Sequence, residues 1–209
     1  MFKFEKLVFG DLGWGDEFLL ATFMTLLVSI MSMGLGLCLA IITVWAKIVQ
    51  NSFTRFLASL YTTIIRGVPE LLVIYLIFFG GNAVVMKVAK IFGYNGYIEL
   101  NALTIATIAI AVISATYSSE VLRAAYLSIS KGQIEAAKAL GMNRLSIFLK
   151  VLCPQVIRYA LPGIGNVWQI TLKDTSLISV TGLVEIMRQS RISSNVEHSP
   201  LTFLVTAAF

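Results

Sequence analysis

The stretch FLLATFMTLLVSIMSMGLGLCLAIITVWA, residues 18–46, contains no Asp, Glu, Lys or Arg. The stretch Leu100–Ser119 is also free of charged residues. Both exceed the roughly 18 residues that indicate a helix able to cross a bilayer. The sequence therefore predicts an all-α protein with several transmembrane helices.

The composition points the same way. Of the 209 residues, 57% are hydrophobic and 13% are charged, whereas a soluble domain has about 25% charged residues. The formal net charge of +5 comes from basic residues between the apolar stretches, a pattern typical of membrane topology rather than of nucleic-acid binding. Acidic residues, among them Asp16 and Glu17, precede the first apolar stretch, so we expect it to remain as a span rather than to be cleaved as a signal peptide.

We expect one domain, residues 1–209, with a helical bundle of about five spans. Along the chain it divides into a lead-in (1–17), three spans (18–122), a cytoplasmic loop (123–150) and the last spans (151–209). The expected spans are Phe18–Ala46, a broken pair Phe56–Ile65 and Leu71–Phe79, Leu100–Leu122, Val151–Val184 and the beginning of a fifth at Pro200–Phe209, with Gly80–Glu99 as a connection. Since ten helical residues cover about half of the hydrocarbon core, we expect the natural chain to continue beyond Phe209.

Glycines and prolines mark irregular places in these spans. Pro69 removes a backbone donor next to Gly67, so we expect a break there. Pro154 and Pro162 predict uneven geometry in the fourth span. Gly34 and Gly36 in the first span are expected to let a neighbouring helix approach closely.

The loop charges predict the orientation. Lys47 and Arg55 in the first loop have no acidic neighbour, and the third loop together with the start of the next span, up to Arg158, carries six basic residues against the single acid Glu135. Both loops are therefore expected in the cytoplasm, with the N-terminus outside. Lys87 and Lys90, which then lie outside, oppose this assignment without reversing it.

The third loop has a helical pattern of its own. Its apolar residues recur at intervals of three and four on both sides of Gly141-Met142-Asn143, which predicts two short amphipathic helices joined by a turn. Their apolar faces must dock either on the underside of the same bundle or in a groove of a separate cytosolic protein. The pattern alone leaves both alternatives open.

Glu135-Ala136-Ala137-Lys138-Ala139-Leu140-Gly141, continuing to Phe148, Val151 and Pro154, resembles the EAA loop of permease subunits in binding-protein-dependent ABC importers. The family usually has Ile where this chain has Val151 and Leu where it has Cys153; both replacements are apolar. The segments 66–72 (RGVPELL), 131–133 (KGQ), 159–166 (YALPGIGN) and 172–177 (LKDTSL) are similar to the polar amino-acid branch, which includes permeases for histidine, lysine, arginine, ornithine and opines. The resemblance covers nearly the whole chain from Phe18 onward.

This resemblance implies a type I ABC importer permease in the bacterial inner membrane. Such a permease pairs with a second permease, here favoured as a paralogue rather than an identical copy, and works with two cytoplasmic ATPases and an extracytoplasmic amino-acid-binding protein. The EAA loop is then the coupling helix, with Glu135, Ala136, Ala137 and Gly141 as contacts to the ATPase. The chain has no G-x-x-x-x-G-K-[ST] phosphate loop, so ATP and Mg²⁺ are expected on the partner ATPase. No catalytic residue, cofactor or metal site is expected in this chain, whose only histidine is His198.

Ionisable residues inside spans are costly and tend to face a bundle interior or an aqueous path. Arg66 with Glu70, and Glu120 with Arg123, are spaced to pair locally along a helix. The adjacent residues of the Lys173-Asp174 pair point about 100° apart, so each needs its own partner.

Asp174 has two alternative roles. It pairs with a basic residue of another helix, or it receives the cationic end of an amino acid together with Thr175 and Ser176. The candidate substrate path comprises Arg66, Glu120, Lys173, Asp174, Thr175 and Ser176.

We therefore expect part of the translocation path for a polar amino acid, with a basic one favoured. A secondary transporter driven by an ion gradient also has broken helices and intramembrane charges, and a structural membrane subunit is a third class.

Overall fold

The computed structural model of the chain describes residues 4–10, 13–49, 51–94, 96 and 101–208. These residues form α1 (Gly15–Ile48), α2 (Ser52–Gly67), α3 (Glu70–Ile91), α4 (Ala102–Leu127), α5 (Lys131–Ala139), α6 (Arg144–Ile147), α7 (Cys153–Asp174), α8 (Ile186–Glu197) and α9 (Pro200–Ala208). Two 3₁₀ segments cover Phe4–Leu7 and Thr175–Thr181, and a π-helical segment covers Phe148–Leu152. The described residues contain no strand, and the all-α fold class is confirmed.

Four helical stretches are long and apolar enough to cross a membrane, judged by length and composition. They are Gly15–Ile48, Glu70–Ile91, Ala102–Leu127 and Arg144–Thr181. They correspond to the expected first, third and fourth spans and to the second half of the expected second span, whose first half is α2 and is not among these four stretches. The predicted fifth span corresponds to α9, which has nine residues.

The expected break at Pro69 is confirmed, because α2 ends at Gly67 and α3 begins at Glu70. The expectation that a connection begins at Gly80 was wrong, since α3 continues through Gly80 and Gly81 to Ile91. Glycine is tolerated inside apolar membrane helices more readily than in soluble ones. Outside the described residues lie 1–3, 11 and 12 of the predicted lead-in, 95 and 97–99 of the predicted connection, residue 100 of the third expected span and residue 209 of the fifth.

The fourth span departs from regular helix at its two ends rather than at Pro162, where α7 continues without interruption. At the start, the amide of Cys153 donates to the carbonyl of Phe148, five residues earlier. Pro154 follows directly, and because its ring clashes with the carbonyl four residues before it in an α-helix, the wider π turn relieves the conflict. At the other end the chain tightens into the 3₁₀ segment, which stops at Gly182, where φ is +97°.

The chain divides into two compact units, and the first comprises Met1–Ser32, Pro69–Ile110 and Thr171–Phe209. Here the Phe203 ring of α9 packs against Phe18 and Trp14, with ring centroids 6.0 and 6.5 Å away. Glu185, which is fully buried, caps α8 by accepting hydrogen bonds from the amides of Met187 at 2.8 Å and Arg188 at 2.7 Å. Its burial raises the pKa of the Glu185 carboxyl.

The second unit comprises Met33–Val68 and Ala111–Ile170. Two glycines allow helices to approach α4 closely within it. A Cβ on Gly36 of α1 would collide with the Ser114 hydroxyl, and a Cβ on Gly163 of α7 would lie 2.6 Å from a Val121 methyl. The predicted close approach is thus confirmed for Gly36. It was wrong for Gly34, whose Cβ position has no atom within 4 Å.

Candidate functional site

The loop between α4 and α7 folds as a helix, a glycine turn and a second helix, as the sequence predicts. After the end of α5 at Ala139, the amide of Met142 donates a hydrogen bond to the Ala137 carbonyl at 3.1 Å. Gly141 has φ of +74°, a left-handed conformation in which a β-carbon is strained. The Asn143 side chain then caps α6 by accepting from the Ser146 amide at 2.8 Å.

The four residues expected to contact an ATPase differ in exposure. Glu135, Ala136 and Gly141 are exposed, whereas Ala137 is buried. The small Ala137 side chain lies on the inner face of the loop, where α5 packs against α6 and the π-helical segment. Glu135 and Ala136 are therefore exposed on the outer face of a loop whose inner face is packed.

An apolar surface accompanies these exposed residues. Leu140, Leu145, Phe148 and Leu149 are 82%, 66%, 54% and 55% exposed. Ile147, by contrast, is 4% exposed. One apolar face of the loop is thus used internally, while a second apolar face is open.

A hydrogen bond that the sequence analysis missed connects the loop with α7. The amide nitrogen of the Gln155 side chain donates to the Gln133 side-chain oxygen at 2.7 Å and also to the Val151 carbonyl at 2.8 Å. These two glutamines lie 22 positions apart, so no helical spacing relates them. The bond attaches α5 to the first turn of α7.

A second group of functional candidates is a charge cluster in the second unit. The predicted Glu120–Arg123 ion pair is confirmed at 3.7 Å. Glu120 also pairs with Lys47, a residue that the sequence analysis assigned only to a loop. Lys47 donates as well to the Thr62 hydroxyl at 2.8 Å, and its side chain is 5% exposed. The signal that could have found Lys47 is its position directly after the uncharged stretch, which places it on the last turn of the same helix.

Arg66 lies in the same unit. Its guanidinium carbon is 5.4 Å from the centre of the Tyr117 ring, a cation–π arrangement. The pairing of Arg66 with Glu70 stays a prediction.

Asp174 lies in the first unit, where it is 7% exposed. The carboxyl group of Glu70, the first residue of α3, lies beside it. The described structure thus gives Asp174 an acidic neighbour where the sequence analysis considered a basic one.

The hydroxyl groups of the two residues after Asp174 donate hydrogen bonds to backbone carbonyls of the preceding turn. The Thr175 hydroxyl donates to the Leu172 carbonyl and the Ser176 hydroxyl donates to the Lys173 carbonyl, both at 2.7 Å. Their oxygen lone pairs remain as acceptors, so this part of the chain offers acceptors and carboxylates, which suit a cation. Lys173 itself is exposed. No group of three His, Cys, Asp or Glu side chains able to hold a metal ion occurs within the described residues.

Comparison with known proteins finds similar proteins over most of the chain. The sequence model of one family, described as "Binding-protein-dependent transport system inner membrane component", matches residues 32–209. The nopaline transport system permease protein NocQ of Agrobacterium fabrum is 48% identical over 202 residues, which cover 96% of this chain and 86% of NocQ. The histidine/lysine/arginine/ornithine transport system permease protein HisQ of Escherichia coli is 34% identical over 193 residues, covering 92% of this chain and 84% of HisQ.

A solved structure is also similar. It is described as the crystal structure of an amino acid ABC transporter with histidines, and the two chains superpose with a TM-score of 0.77 at 28% identity. The match covers 93% of this chain and 86% of the other. The bundle and its loop therefore follow the architecture of that transporter chain.

Proposed function

The chain belongs to the family of inner membrane components of binding-protein-dependent transport systems, and on that premise we propose that it is a permease subunit of an ATP-driven importer for a basic amino acid or an opine. It forms part of the translocation path and carries out no covalent chemistry. ATP and Mg²⁺ are bound by a separate ATPase. An extracytoplasmic binding protein delivers the substrate, and a second permease, a paralogue, completes the path.

The observation that carries this proposal is the open face of the loop between α4 and α7. Glu135 and Ala136 are exposed there beside Leu140, Leu145 and Phe148. An exposed acid amid apolar side chains suits a cleft on another protein, where the apolar residues supply buried area and the acid fixes the orientation. The ATPase of the importer is the proposed occupant.

Movement of the ATPase reaches the spans through this loop. Ala137 and Ile147 bury the inner face of the loop, and the Gln133–Gln155 hydrogen bond attaches it to α7. A short folded element that is anchored in this way moves with the helix that follows it. Closure of the ATPase dimer would therefore tilt α7 and alternate the path between inward-open and outward-open states.

The proposed orientation places the N-terminus outside and the loops with Lys47 and Glu135 in the cytoplasm. The excess of basic residues in these loops supports it.

The proposed substrate contacts centre on Asp174, Thr175 and Ser176. Asp174 and Glu70 lie together with hydroxyl oxygens that act as acceptors. A substrate ammonium or guanidinium between the two carboxyl groups would offset the repulsion between them. The relatives that transport nopaline, or histidine, lysine, arginine and ornithine, by their names, support a cationic substrate.

Lys173, Arg66 and Glu120 belong to the proposed path as polar lining. Lys173 can meet a substrate carboxylate because its side chain is exposed. Glu120 contributes less charge, since Lys47 and Arg123 already neutralise it.

Reconstitution tests the proposal. The chain is assembled with its paralogous permease and ATPase in vesicles, and uptake of arginine, histidine and glutamine is measured with the binding protein present. We expect uptake that requires ATP inside the compartment corresponding to the cytoplasm. Uptake driven by a proton or sodium gradient without nucleotide would identify a secondary transporter, and assembly without uptake of any amino acid would identify a structural subunit.

A further inference from the structure

A polar cavity of about 200 Å³ lies in the second unit, among α1, α2 and α4. Its lining contains three cations, Lys47, Arg55 and Arg123, and a single acid, Glu120, together with hydroxyl groups on α2. The described lining residues therefore carry a surplus of two positive charges. A cavity of this composition attracts an anion.

The three cations differ in how far they are already used. Lys47 is 5% exposed and is fixed by Glu120 and by the Thr62 hydroxyl. Arg123 is 46% exposed and contacts Glu120 through one nitrogen at 3.7 Å. Arg55 donates one hydrogen bond to the Val49 carbonyl at 3.2 Å. Because a guanidinium has five N–H donors, both arginines retain donors for a ligand. Lys47 offers fewer, since Glu120 and Thr62 already accept from it.

The helix that carries Arg55 has two distinct faces. One face is a stripe of exposed apolar side chains at intervals of three and four residues: Phe53, Phe56, Leu57, Leu60 and Ile64. The other face holds Arg55 and the hydroxyl residues of the cavity. The cationic cavity and the apolar stripe thus lie on two faces of the same helix.

We infer that this cavity binds the phosphate of an anionic phospholipid from the cytoplasmic leaflet, with the acyl chains lying along the apolar stripe of α2. The inference rests on the proposed orientation, which places this end of α1 and α4 at the cytoplasmic surface. Arginine forks match phosphate oxygens in pairs, and basic pockets between helices on the cytoplasmic side are suited to anionic head groups. The apolar stripe distinguishes a lipid from free phosphate, since only the lipid gains from contact with it.

The test measures lipid binding directly and needs no transport. The complete complex with its ATPase is delipidated in detergent and titrated with short-chain phosphatidylglycerol, with phosphatidylcholine or with inorganic phosphate at matched ionic strength. Retained lipid is counted by native mass spectrometry, and the melting temperature is followed in parallel because a ligand that binds the folded state stabilises it. Since neither readout involves uptake, a failure here is separable from a failure of the proposed function.

The variants are Arg55→Gln and Arg123→Gln, and Arg144→Gln is the matched control because Arg144 is an exposed cation of the loop and does not line the cavity. We expect the wild type and the control to bind phosphatidylglycerol equally and in preference to phosphatidylcholine. Each cavity variant should bind phosphatidylglycerol about fivefold more weakly, which corresponds to about 1 kcal/mol per removed cation. Arg55→Lys, which keeps the charge, should bind more tightly than Arg55→Gln.

Four results would overturn the inference. A wild type that binds the two lipids equally would show that the head-group charge is not recognised. Equal binding by the wild type and both cavity variants would place the lipid elsewhere. Stabilisation by inorganic phosphate that matches the effect of phosphatidylglycerol would identify a free-anion site. Loss of the ATPase from the cavity variants, with unchanged lipid binding, would assign the cations to an acidic surface of that protein.

Discussion

Replacing Glu120 by Gln should destabilise the protein more than replacing its partner Lys47 by Met. The two side chains form one ion pair, but they are 32% and 5% exposed, respectively. Glu120→Gln leaves the buried ammonium of Lys47 with its hydrogen bond to the Thr62 hydroxyl but without its carboxylate. Lys47→Met leaves a partly exposed carboxylate that keeps Arg123 at 3.7 Å.

The expected magnitudes follow from this difference. Removing one partner of a buried pair costs about 3–5 kcal/mol because the other charge is left uncompensated. For Glu120→Gln we expect a loss near the lower limit, about 3 kcal/mol, since the amide oxygen still accepts a hydrogen bond. For Lys47→Met we expect about 1 kcal/mol, a value typical of a partly solvated pair. At roughly 2–4 °C per kcal/mol for a chain of this size, the melting temperature falls by about 6–12 °C and about 2–4 °C.

The double variant Lys47→Met/Glu120→Gln sharpens the test. It removes both charges, so it should be more stable than Glu120→Gln alone, although the individual losses would sum to about 4 kcal/mol. Melting of the detergent-solubilised complex is measured for all four members of the cycle. Lys150→Met is a control, since Lys150 is an exposed cation and should change the melting temperature little. Equal losses in the two single variants, or additive losses in the double variant, would refute the reasoning.

Four further substitutions address the loop, the substrate path and the packing of α1. Glu135→Lys should abolish uptake and reduce co-purification of the ATPase, whereas Glu135→Gln should keep the complex; a fully active Glu135→Lys complex would contradict the coupling role. Gly141→Val should likewise abolish uptake without lowering the amount of protein in the membrane, because a β-branched residue at φ +74° costs about 1–2 kcal/mol, while Gly141→Asn should be tolerated. Asp174→Asn should impair uptake of arginine and histidine at least tenfold more than uptake of glutamine, given the cost of losing a charged contact of about 1.4 kcal/mol or more; uniform loss with a lower melting temperature would make Asp174 a structural residue. Gly36→Ala should lower the melting temperature because its Cβ meets Ser114, while Gly34→Ala, which meets no atom within 4 Å, should leave it unchanged or raise it.

Local features of the sequence predicted the elements of the fold. The uncharged stretch at Phe18–Ala46 predicted α1 because a helix in lipid satisfies its own backbone hydrogen bonds and needs only apolar length. Pro69 predicted the break between α2 and α3 since it lacks an amide hydrogen. The prediction was wrong at Gly80, where glycines that end a helix in water are retained within a long apolar helix.

The candidate sites were predicted in part. Glu135, Gly141 and the helix–turn–helix of the loop are local in sequence, so their pattern was visible. Asp174 was also identified, because a carboxylate within an apolar segment is costly. Its acidic neighbour Glu70 was not, since the two lie on different helices and no spacing rule relates them.

The sequence by itself thus determined most of the membrane helices, the break at Pro69 and the helix–turn–helix of the loop, because these properties depend on residues within a few turns of one another. Only the tertiary structure decided the partners of the membrane charges. Lys47 and Glu120 are 73 positions apart in the sequence. They meet because α1 packs against α4, and Gly36 of α1 permits a close approach to Ser114 of α4. Such pairings depend on how helices pack, and the packing is fixed by the fit of many side chains together rather than by any single stretch of the chain.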